Sequence, residues 1–112
     1  MSHAHLIERL KKGEAVVGHR ESGNSMMPLI HHRQPVTISP VDASKLEPGD
    51  IVFCKVHGRF YTHLVKATSP TGVQIGNNRG GINGWAPHEM IFGIISAVDG
   101  VPRRSAETKI RR

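Results

Sequence analysis

Ser25 is the residue whose setting most invites chemistry. It stands in the run Ser22-Gly23-Asn24-Ser25-Met26-Met27-Pro28-Leu29-Ile30. A serine hydroxyl becomes a nucleophile only with a base within hydrogen-bond reach and donors placed for the oxyanion that develops on attack. This run suits the nucleophile's half of that arrangement. Gly23 can take a positive φ or let the backbone approach closely, and Pro28 stiffens the exit. A turn here would expose Ser25 and make Gly23, Asn24, Met26 and Met27 a candidate substrate-binding and oxyanion region, the two methionines lining an apolar surface. The same residues suit an ordinary surface turn over buried methionines. The segment alone leaves both readings open.

Other reactive side chains are sparse. Cys54 is the one cysteine, so no disulfide can form within the chain, and a reducing compartment is the simple expectation. It lies inside the apolar run Ile51-Val52-Phe53-Cys54-Lys55-Val56 and reads as a small core residue. The eight histidines are scattered. His3-Ala4-His5 and His31-His32 could hold a metal weakly, but no ligand set has zinc-site spacing. No metal and no cofactor are expected.

The elements that must hold Ser25 are mostly strands. Residues 2–12 read as a short helix, capped by Ser2, with Leu6, Ile7 and Leu10 on one face and Gly13 at its stop. Residues 14–20 are strand-like. Residues 34–41 make a short strand between prolines, with Val36 and Ile38 on one face. Residues 46–76 read as three successive strands, broken at Pro48-Gly49-Asp50, at His57-Gly58 and at residues 69–72. Residues 77–90, rich in Asn and Gly, are expected to form a loop, with Glu89 in a short helical turn after Pro87. Residues 91–98 form a final buried strand. The fold class expected is mainly β with a short amino-terminal helix. A chain of 112 residues fits one domain, organised as a helix over 1–13, a β domain over 14–100 and a tail over 101–112.

The net charge is +6 with neutral histidines. Residues 101–112 hold five basic residues and one acid, a composition expected to be flexible and solvating. Such a tail could also touch nucleic acid or an acidic partner, but no basic-and-aromatic stripe suited to stacking bases accompanies it. No apolar run approaches the ~20 residues of a membrane span, and the amino terminus lacks the apolar centre of a secretion signal. No membrane association and a cytoplasmic location are expected.

Four stretches in order extend the reading. Gly23-Asn24-Ser25-Met26-Met27-Pro28 is followed by Gly49-Asp50-Ile51-Val52, then by Phe60-Tyr61-Thr62-His63-Leu64-Val65, then by Gly76-Asn77-Asn78-Arg79 with Trp85-Ala86-Pro87 and the Gly93 strand. This series, over residues 14–98, resembles the signal-peptidase and LexA-type serine peptidase clan. The resemblance implies a LexA/signal-peptidase-like β fold, with Ser25 as nucleophile and His63 as general base. Most bacterial members carry a lysine as base, whereas endoplasmic-reticulum-type and archaeal signal peptidases carry a histidine. Lys66 is the rival base, but strand parity sets Tyr61, His63 and Val65 on one face and Lys66 on the other.

The chain departs from the clan at two positions. Asn77 and Asn83 stand where the clan carries acids, so either is a candidate for orienting His63 without supplying charge. The clan's membrane anchor and amino-terminal DNA-binding domain have no counterpart here, as in a compact, stand-alone member of phage or mobile-element type. The leading expectation is a serine peptidase-like protein that cuts a peptide bond in an extended protein or peptide substrate through a Ser25/His63 dyad. By resemblance, small residues precede the scissile bond and the substrate is held by strand addition. The alternative is a catalytically silent member that binds or inhibits a host or partner protein. A third reading is nucleic-acid association through the tail.

Overall fold

The computed structural model describes residues 2–112. Helix α1 (His3–Lys11) starts at Ser2, whose Oγ accepts the His5 amide at 3.2 Å and satisfies one donor that a helix start leaves free. Leu6 and Leu10 point from it into the core and are fully buried.

The remainder is mainly β. The strands are β1 (Val16–His19), β2 (Val36–Ser39), β3 (Ile51–Val56), β4 (Arg59–Thr68), β5 (Gly72–Gly76), β6 (Ile82–Pro87), β7 (Ile91–Val98) and β8 (Val101–Pro102). They form one antiparallel sheet in the order β1-β2-β7-β3-β4-β5-β6, and β8 pairs with β7. The long hairpin β3–β4 turns at His57-Gly58, so that Ile51 faces Leu64 and Val56 faces Arg59.

The central strands are buried on both faces. Along β3, Val52, Cys54 and Val56 enter one apolar cluster with Val65, Val73, Ile75 and Ile94. Ile51 and Phe53 enter the other with Leu6, Leu10, Ile38, Leu64 and Ile95. A strand covered twice must be apolar at successive positions rather than alternating, which is why residues 51–54 form an unbroken apolar run. Gly93 in β7 is needed for close packing. A Cβ there would lie 2.6 Å from Ile38 Cγ2 and 3.2 Å from Leu10 Cδ1, inside van der Waals contact with the neighbouring strand and with α1.

Two expectations are corrected. Residues 77–90 are not all loop, because β6 pairs with β5 from Gly72 opposite Pro87 to Gly76 opposite Ile82. It is an edge strand in which Ala86 is the one fully buried side chain. A half-paired strand with a central glycine and a terminal proline carries little apolar alternation, and proline is tolerated at such an edge.

Residues 101–112 are not a flexible tail. They form β8, a 3-10 helix over Arg104–Lys109 and a bridge between Ile110 and Val41. Ala106 is fully buried in the first cluster. The Lys109 ammonium reaches the two Asp50 carboxylate oxygens at 2.9 and 2.8 Å and Glu47 at 3.2 Å. Burial works against the Lys109 charge, but the bonds and charges of Asp50 and Glu47 outweigh it and raise its pKa. Helix α1 therefore packs into the second cluster and the carboxy-terminal segment into the first, and the sheet contributes to both. Among the described residues no helix is long and apolar enough to cross a membrane.

Candidate active site

Ser25 opens a turn over residues 25–29. Gly23, just before it, has φ +115°, and a Cβ there would meet nothing within 4 Å. Backbone conformation, not crowding, calls for glycine at this place. The Gly23 amide donates to His32 Nδ1 at 2.9 Å. Beyond Ser25, the Met26 carbonyl accepts the Leu29 and Ile30 amides, and Asn24 O accepts the Met27 amide. Met26 is buried in the second core cluster, which pins the turn to the domain, while Met27 is partly exposed. Among the described residues the Ser25 and Met26 amides have no acceptor.

His63 lies in the middle of β4, opposite Val52 of β3, and is nearly buried. Ser25 Oγ is 3.0 Å from His63 Nε2, and His63 Nδ1 is 2.7 Å from Asn83 Oδ1 of β6. An amide oxygen can only accept, so Nδ1 carries the proton. In the neutral ring Nε2 is then a lone pair, and the Ser25 hydroxyl donates to it. This is the tautomer a general base needs. The Tyr61 ring lies beside His63, with centroids 4.9 Å apart, and limits where the imidazole can swing.

The two asparagines separate. Asn77 does not reach His63. Its Oδ1 accepts the Arg79 and Gly81 amides, both at 2.9 Å, and so closes the β5–β6 turn. A short side chain capping its own turn is a common use of asparagine. Asn78, read in the sequence only as part of a loop, docks that turn onto the serine turn. Its amide donates to Ser25 O, and its Nδ2 to Met27 O, each at 2.9 Å. Lys66 sits where the β4–β5 register skips a residue, between Val65 opposite Ile75 and Ala67 opposite Gln74. Its stem packs against Gly76, and the Ser25 hydroxyl pairs with His63.

An open pocket of ≈ 230 Å³ adjoins the pair, lined by Gly23, Ser25 and Met26 among others but not by Asn24 or Met27. Its one carboxylate belongs to Glu21. Glu21 Oε1 accepts Thr62 Oγ1 at 2.6 Å and His19 Nε2 at 3.0 Å. Burial opposes ionisation of Glu21, but the bonds from His19 and Thr62 and the His19 charge outweigh it and hold its pKa below the ordinary carboxylate value. No spacing in the sequence announces this group, since Glu21 and Thr62 are 41 positions apart. Among the described residues no cluster of three or more His, Cys, Asp or Glu is arranged to hold a metal.

No family model, curated protein or solved structure matches the chain.

Proposed function

We propose that the protein is a serine peptidase of the signal-peptidase and LexA-type clan, cutting a peptide bond in an extended substrate. The observation that carries the reading is the continuous chain Ser25 Oγ, His63 Nε2, His63 Nδ1 and Asn83 Oδ1 at 3.0 and 2.7 Å. His63 takes the proton as Ser25 Oγ attacks the substrate carbonyl carbon. The acyl-enzyme forms as the ring returns that proton to the leaving amine, and water hydrolyses it by the same route. The Ser25 and Met26 amides, lacking partners among the described residues, are donors available to the oxyanion. Asn83 orients the ring but lends no negative charge to the imidazolium.

The test is cleavage of a mixed peptide library, read by mass spectrometry. Products at recurring bonds, abolished by Ser25→Ala, support the peptidase. Products that persist in Ser25→Ala, or none at all, count against it. The neutral Asn83 favours a second reading, in which the same groove binds an extended segment of a partner protein without cutting it. In that case Ser25→Ala leaves partner binding nearly unchanged.

A further inference from the structure

We infer that the pocket beside Ser25 receives a cationic side chain, lysine or arginine, from the bound peptide, and that Glu21 selects it. The inference rests on reading this pocket as the substrate pocket of the proposed peptidase.

Charge placement is the first ground. The chain has fifteen Lys and Arg, yet among the described residues none lines this pocket, and Glu21 is the one acid that does. The free acceptor is the second. Both bonds from the protein fall on Glu21 Oε1, and among the described residues Oε2 accepts none. A carboxylate has acceptor sites on both oxygens, so one side of Glu21 is held by Thr62 and His19 while the other is left for a ligand. The shape of the lining is the third. Met26, Ile30, Val36 and Phe60 give the pocket apolar wall. A lysine or arginine can lay its methylenes along such a wall and carry its charge to the polar end.

The low pKa of Glu21 keeps it an anion at neutral pH. The net charge of +6 repels a cationic peptide at long range, but that field is screened over about 8 Å at physiological salt. The contact pair in the pocket is screened much less and decides the preference.

Binding to the Ser25→Ala chain tests this. The probes are acetylated pentapeptide amides of alanine, with lysine, arginine, norleucine or glutamate placed in turn at each position, measured by titration calorimetry. At one position lysine or arginine is expected to bind about tenfold more tightly than norleucine, the gain of one charge-assisted contact. Glu21→Gln in the same background should erase the difference. Equal binding of norleucine and lysine at every position overturns the inference. So does a preference that survives Glu21→Gln, or the absence of binding by any peptide. If Glu21→Gln does not fold, the lysine-to-norleucine ratio in the Ser25→Ala chain decides alone. Because the hydroxyl is absent, this outcome is separate from whether Ser25 is reactive, which library cleavage by the wild type reports.

Discussion

Asn83 sets how far the Ser25–His63 pair can be driven. Its amide oxygen fixes the tautomer by accepting from Nδ1 at 2.7 Å. When His63 takes the serine proton the ring becomes a cation, and an amide dipole stabilises that cation less than a carboxylate does. Asn83→Asp should therefore raise the rate of acylation by a serine-directed probe by roughly tenfold or more. It should also move the acid limb of the pH–rate profile upward, because the carboxylate favours the protonated ring. An unchanged rate and profile would mean that the contact does not act on His63. Cys54 offers a check on the core at the same scale. Burial, and secondarily the Glu21 charge, push its thiol up to about 12. The folded chain should stay unmodified by a thiol reagent at pH 8, and denaturant should expose one reactive thiol. Rapid labelling of the native chain would contradict the packing of β3.

At the scale of elements, the carboxy-terminal segment is tied down by one buried ion pair. The Lys109 and Asp50 side chains are 5% and 2% exposed, so removing one partner strands a buried charge. Lys109→Met should cost about 3–5 kcal/mol in chemical denaturation. Replacing both partners, with Asp50→Leu added, should recover much of that loss. The folded pKa of Lys109 is raised. Its contribution is therefore fully present below the unfolded lysine value of about 10.4 and is lost as pH rises through the folded pKa. Unfolding free energy that ignores Lys109→Met would show that the segment does not close the core. This element was hidden in the sequence. Five basic residues read as solvated, and nothing local to Lys109 reveals an acid 59 positions away. β6 was hidden for a related reason, since an edge strand is specified by its neighbour's backbone rather than by its own apolar pattern. By contrast α1, β2, β3 and β7 were legible because burial writes itself into their sequences. Leu6 and Leu10 recur at helical spacing, Val36 and Ile38 alternate, and β3 and β7 are nearly continuous apolar runs.

On the scale of the whole molecule, the sheet brings together side chains that the sequence keeps apart. Ser25 lies 38 positions from His63, and His63 lies 20 from Asn83. Ser25 and His63 could be matched through ordered motifs, but the choice of Asn83 over Asn77 could not, because it depends on where the β5–β6 turn closes. The Glu21–Thr62 contact had no sequence signal at all. The resulting division of labour is physical. β4 and β6 hold the base and its orienting group on rigid pairing, while the serine sits on a turn docked by Asn78 and anchored by Met26. That arrangement makes one measurement decisive: reaction of the folded protein with a fluorophosphonate, with the modified residue located by mass spectrometry. A Ser25–His63 dyad predicts a single adduct on Ser25. That adduct should be lost in Ser25→Ala and slowed by about 10²–10⁴ in His63→Ala, the usual contribution of a general base. No adduct on folded wild type, or labelling of Ser25 that does not depend on His63, would contradict it.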